Sequence, residues 1–274
     1  MASTAPALRQ AVLQGAPWTW AVVGALGGLL MAWLLFAPAH WLADAVERGT
    51  EGRVQLSEAR GTVWNGSARL VLTGGSGSQD AAALPGRVAW TLRPNLRGLQ
   101  LTVLSDCCTA SALQLQASPR WRGAVLTVAD GQSQWPAGLL VGLGTPWNTL
   151  QLDGQLGLQT QGLSVEWIEG RLAVSGRTVL EAQQISSRLS TLRPMGSYRI
   201  TVNGGASSTL QLETLDGSLQ LTGSGQWVGA RLRFQGVASA APEREGALSN
   251  LLNTLGRRTG ARSSVTGSTG FISG

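Results

Sequence analysis

The sequence predicts an all-β protein: curved antiparallel sheet or sheets built from two similar β units, with a single N-terminal transmembrane helix and a short C-terminal helix. Three observations predict it. From about Val54 to Phe234 apolar residues recur with period two, the mark of strands wet on one face. Turn dipeptides punctuate these runs at Asn65-Gly66, Asp130-Gly131, Asp153-Gly154, Asn203-Gly204 and Asp216-Gly217. No helix-period segment lies between the strands to carry parallel crossovers.

The first element is Trp18 to Ala37, free of charge and long enough as a helix, about 30 Å, to cross a bilayer. Trp18 and Trp20 at one end, Trp33 within and Trp41 beyond the other suit the interfacial belts. Arg9 precedes the run, and Asp44, Glu47 and Arg48 follow it, which places residues 1–17 in the cytoplasm. A cleaved signal peptide is the competing reading, since Ala37-Pro38-Ala39 and Ala43-Asp44-Ala45 resemble cleavage sites. The apolar run exceeds a usual signal core and its leader has one Arg, so a retained span is expected. Residues 38–50 read as a juxtamembrane amphipathic helix at the membrane surface, with Trp41, Leu42, Ala45 and Val46 on one face.

Residues 51–135 form the first expected β unit and 151–238 the second. Leu99–Val103, Leu113–Leu115, Leu150–Leu152, Leu163–Val165, Tyr198–Val202 and Leu219–Thr222 alternate between apolar and polar residues. A Trp-x-Gly pattern recurs at Trp64/Gly66, Trp121/Gly123 and Trp227/Gly229, with a looser copy at Trp167/Gly170. In each a strand is expected to end at Trp, turn at Gly and return, the Trp covering the hairpin end. Leu92-Arg-Pro94 and Leu192-Arg-Pro194, each followed by an alternating strand, suggest a duplication. Residues 136–150 are a Gly/Pro-rich crossover with a helical turn expected at 137–141. Residues 239–258 read as a last helix with a Leu248, Leu251, Leu252, Leu255 stripe and a Gly256 cap. Residues 259–274 read as a mobile Gly/Ser/Thr tail.

Composition excludes much. The net charge of +6 rests on Arg alone, with no Lys, and those Arg are scattered rather than gathered into a nucleic-acid patch. Without Lys there is no phosphate-binding P-loop, and no nucleophile elbow is present. His40 is the only His and ends an apolar stretch, a poor place for a catalytic triad. Cys107, Cys108 and a remote His40 do not make a zinc site. No catalytic residue, cofactor or metal is expected.

Cys107-Cys108 is the sharpest oddity. Neighbouring residues on a strand face opposite ways, so a bridge between them needs a turn. The pair reads as two reduced or inertly paired thiols near a turn at Asp106, with a redox-active pair or a bond between chains as the sharper alternatives. Glu166 and Glu169 flank Trp167 and read as a solvated strand end.

Four stretches together resemble a known family: Ala59-Arg-Gly-Thr-Val-Trp-Asn-Gly-Ser-Ala68, Leu84-Pro-Gly-Arg-Val-Ala-Trp90, Gly144-Thr-Pro-Trp-Asn-Thr-Leu150 and Asn250-Leu-Leu-Asn-Thr-Leu-Gly-Arg-Arg258. With the N-terminal span, the chain is similar to protein N of the bacterial type II secretion system. The resemblance implies a single-pass inner-membrane protein, largely periplasmic, with an accessory role in exporting folded proteins across the outer membrane. Its implied partners are other inner-membrane secretion subunits and the lipid bilayer. The motifs are structural, so no catalytic residues carry over. The runner-up is an AsmA-like envelope protein holding a lipid ligand on an apolar sheet face, and a periplasmic hydrolase ranks last.

Overall fold

The computed structural model describes residues 18–168, 171–229, 231–241, 244, 246, 248, 257–259 and 262–270. Two compact units divide the chain, residues 1–37 and 38–274. In the first, helix α1 (Trp18–Leu35) has no buried side chain. With a mean hydropathy of 1.7, it is the one helix among the described residues long and apolar enough to cross a membrane. At 1.5 Å per residue it is about 27 Å long, close to the thickness of a hydrocarbon core.

The second unit opens with α2 (Ala39–Gly49). Its seat on the sheet decides which of its faces turns inward. Ala39 and Ala43 are buried, and Ala39 and Leu42 pack with Leu56, Ala68 and Trp90 of the first strands. Two alanines four apart let the helix approach the sheet closely, so the inward stripe is Ala39-Leu42-Ala43-Val46. Trp41 and Ala45, expected on that stripe, are exposed.

The strands then follow in sequence. A first hairpin pairs β1 (Val54–Gly61) with β2 (Asn65–Thr73), and β3 (Ala81–Ala83) lies beside β2. A meander continues through β4 (Val88–Asn95), β5 (Gly98–Ser105), β6 (Leu113–Arg120) and β7 (Gly123–Val128). Next come β8 (Gly131–Pro136), β9 (Asp153–Ile168), β10 (Arg171–Ser186), β11 (Gly196–Asn203), β12 (Thr209–Gly217), β13 (Leu219–Val228) and β14 (Arg231–Ala240). Last are β15 (Arg257–Thr259) and β16 (Arg262–Gly270). They make one sheet, in the order β1-β2-β4-β5-β6-β7-β9-β10-β11-β12-β13-β14-β16-β15. Every described pairing is antiparallel, so the chain is all-β with one N-terminal apolar helix.

One sheet runs through both expected β units, because β7 and β8 pair with opposite ends of β9. Three local expectations are corrected. Leu92-Arg-Pro94 lies in β4, whereas Leu192-Arg-Pro194 lies in the loop between β10 and β11, so the two are not equivalent positions. Leu150-Gln-Leu152 is not strand: it follows the 3-10 turn Ala137–Leu143, at the end of the short helix α3 (Trp147–Leu150). The tail beyond residue 258 pairs as strand instead of standing apart, nine residues of β16 lying along β14. Of the expected last helix, Gly246 and Leu248 are helical; Leu251, Leu252, Leu255 and Gly256 lie outside the described residues.

Among the described residues three small cores form on the sheet. One gathers under α2, and another holds Leu84, Val88 and Cys108 with Leu70, Val103, Trp135 and Leu139. The largest gathers Ala137, Ile185, Met195, Tyr198, Leu219, Ala238 and Leu248.

Candidate functional site

The largest feature is an apolar sheet face that is only partly covered. Register places Leu158, Leu180, Ile200 and Leu212 directly opposite one another across β9, β10, β11 and β12. Leu101 and Leu115 do the same across β5 and β6. Partners in an antiparallel register share a face, so these rows belong to one side of the sheet. Yet no apolar side chain of β5, β6, β7, β9 or β12 is fully buried. Among the described residues Leu212 packs against the largest core and Leu101 against the core under α2, whereas Leu115, Leu158, Leu180 and Ile200 belong to none of the three cores. Near the far end Phe234 lies over Gly223, Gly225 and Gly236, whose missing side chains leave room for the ring.

The opposite face is polar. Glu181, Arg199 and Glu213 stand opposite one another on β10, β11 and β12. Arg199 donates to the Glu181 carboxylate at 2.9 Å through Nε and to Glu213 at 3.0 Å through Nη1. The hydrogen bond from Arg199 holds the Glu181 carboxyl below its usual range.

The sheet's first edge is blunted. β1 pairs regularly with β2 from Val54 to Ser57; then the register shifts, with Glu58 at φ +51°. Such a bulge, with charged Glu58 and Arg60, discourages a further strand from adding there.

Cys107 and Cys108 are bonded to each other. The turn they need is built by Ser105, whose carbonyl accepts the amides of Cys108 and Thr109, both at 3.1 Å. Its own amide donates to the Thr109 hydroxyl at 2.7 Å. Gln134 N–H then donates to the Cys108 carbonyl at 2.8 Å, which fastens the loop to β8. Cys108 is buried among Leu84, Val88 and Trp135, while Cys107 faces solvent beside a cavity of about 330 Å³ lined by Asp106, Gln132, Gln134, Gln159 and Glu181. Among the described residues no three His, Cys, Asp or Glu gather to hold a metal ion.

The Trp-x-Gly residues fall at hairpin turns on one end of the sheet, though not in the expected manner. Trp64 precedes β2, and Gly66 is a strand residue against the Trp90 ring. Trp121 is in the β6–β7 turn, and Gly123 starts β7, where a Cβ would run into the Trp167 carbonyl. Gly229 is a turn residue with φ +62°, following Trp227; Gly170 lies outside the described residues. Trp121 and Trp167 are 90% and 63% exposed, so they do not cover their hairpin ends. Sequence reasoning missed this exposure because a Trp beside a turn reads the same whether it folds back or projects. In α1, Trp18, Trp20 and Trp33 are all exposed, as is Trp41, whose ring meets His40 edge-on at 6.4 Å.

No curated protein and no solved structure matches the chain. A family profile described as type II secretion system (T2SS), protein N, matches residues 52–265, from the start of the sheet into β16. With most of its length under that one profile, the chain belongs to the type II secretion system protein N family.

Proposed function

We propose that the protein is a membrane-anchored periplasmic accessory component of the type II secretion system, acting by binding rather than catalysis in export of folded proteins across the outer membrane. The family match over residues 52–265 carries the reading. The uncharged α1 supports a single span in the bacterial inner membrane, N-terminus cytoplasmic and bulk periplasmic. The Cys107–Cys108 bond supports an oxidising compartment for the sheet. Partners are other anchored secretion subunits with periplasmic domains, reached laterally. The partly bare apolar face, rather than the blunted β1 edge, is the surface offered to them. Mild-detergent co-purification of the full chain tests this: recovery with secretion subunits is expected, and recovery with none of them overturns it.

One observation favours a second reading. A sheet face with no buried apolar side chain across β5, β6, β7 and β9 also suits acyl chains. That reading expects phospholipid in the purified protein and a leaky envelope on gene deletion, with normal export. The secretion reading expects lost export of secreted enzymes and an intact envelope.

A further inference from the structure

Three adjacent hairpins, β4–β5, β6–β7 and β9–β10, turn at the same end of the sheet. The register requires it: Asn95 pairs with Gly98, Leu99 with Ala117, Arg120 with Gly123, and Gly123 in turn with Ile168. On or beside these turns Leu96 is 107% exposed, Trp121 90% and Trp167, next to last in β9, 63%. At about 4.8 Å per strand the six strands span about 24 Å. Val228, beside the β13–β14 turn at that end, is 51% exposed. Single exposed apolar residues need no explanation, but a line of large ones on consecutive turns does.

Charge follows the same division. Arg97 and Arg122 stand in turns at this end, Arg120 and Arg231 on the strand ends beside them, and Glu166 in β9 is the one acid with them among the described residues. Arg97, Arg120 and Arg231 are exposed and make no ion pair among the described residues. Asp80, Asp106, Asp153 and Asp216 lie in or beside loops at the opposite end. The chain also enters this unit at the Trp/Arg end: Pro38, its first residue, bridges to Thr62 in the β1–β2 turn. Only Phe36 and Ala37 separate Pro38 from the last residue of α1.

We propose that this end is a second membrane contact. Leu96, Trp121, Trp167 and Val228 enter the interfacial layer of an anionic phospholipid bilayer, and Arg97, Arg120 and Arg231 meet its phosphates. Indole rings favour that layer because one edge is apolar and the other donates a hydrogen bond. Guanidinium groups bind phosphate in a forked, charge-assisted geometry. The inference rests on the anchored reading above. It adds which end of the sheet faces the lipid.

The test uses the full chain in phosphatidylglycerol/phosphatidylethanolamine vesicles. Leu96→Cys or, at the opposite end, Asp216→Cys is labelled with an environment-sensitive dye, the native cysteines being bonded to each other. The label at 96 is expected to be blue-shifted and protected from aqueous iodide, and the label at 216 to be quenched freely. Reversing Arg97, Arg120 and Arg231 to Glu should abolish the protection, the docked-to-undocked ratio falling by about fivefold or more per charge. Trp121→Asp should weaken it independently. Equal quenching at 96 and 216 in a chain that floats with the vesicles overturns the proposal and leaves the anchor standing. A chain that does not float removes the anchor and this inference together. Protection that follows protein concentration rather than lipid assigns the row to a second copy and also overturns it.

Discussion

At the scale of single residues, Tyr198 is the clearest anomaly. Its ring belongs to the largest core, and its hydroxyl is buried with no hydrogen-bond partner among the described residues. Burial raises the phenol above its ordinary value of 10.0. An unpaired buried hydroxyl costs about 1–3 kcal/mol, so Tyr198→Phe should leave stability unchanged or raise it by about 1 kcal/mol. An acid raised on folding contributes stability that is fully present below its unfolded value, about 10, and is lost as pH rises above it. Denaturant midpoints of wild type should therefore fall above about pH 10, and those of the Phe variant should not fall for this cause. A Phe variant weaker by more than about 1 kcal/mol would reveal a partner for the hydroxyl.

Glu181 behaves in the opposite sense. Arg199 lowers its carboxyl below the ordinary 4.5. Its contribution is therefore full above that value and lost as pH falls through the depressed one. Glu181→Gln should flatten the acid limb of the stability curve below about pH 4.5 relative to wild type. Identical limbs in urea titrations between pH 5 and pH 3 would show that solvent screens the pair fully. Neither residue announces this role in the sequence, because Glu181, Arg199 and Glu213 meet only through strand register.

At the scale of elements, the covering pieces matter more than the strands. Leu248 is fully buried in the core that holds Met195, Tyr198 and Leu219, and it comes from the stretch after β14 in which Gly246 and Leu248 are the described helical residues. Leu248→Ala should cost about 2–5 kcal/mol, measured by chemical denaturation. A cost under about 1 kcal/mol would mean that the stretch can leave the sheet freely. The period-two strands β5, β6, β11 and β13 were legible because one wet face imposes alternation. Asn65-Gly66 and Asp153-Gly154 read as turns but begin β2 and β9. Dipeptide preference is local, whereas pairing with distant strands decides where a strand starts. β16 gave no signal, since its Ser, Thr and Gly residues show no apolar alternation; it is strand because β14 offers an edge. Gly123 read as a turn for a similar reason, its true constraint being the Trp167 carbonyl on another strand.

At the scale of the whole molecule, the proposed topology ties the disulfide to the anchor. Cys107 and Cys108 bond readily only where thiols are not kept reduced, so their state in cells reports the compartment of the sheet. Cys108 is buried and fastened to β8 through Gln134 while Cys107 is exposed, so an attacking thiolate meets the Cys107 sulfur first and must expel a thiolate held beside Leu84 and Val88. Once formed, the bond should therefore resist mild reduction in the folded protein. Intact cells quenched with acid and alkylated with a mass-tagged maleimide should show no tag on the full chain, and two after reduction under denaturing conditions. Deleting residues 2–37 should keep the sheet in the cytoplasm, where both cysteines take the tag without reduction. Two tags on the full chain in unreduced cells would place the sheet on the cytoplasmic side and reverse the proposed topology.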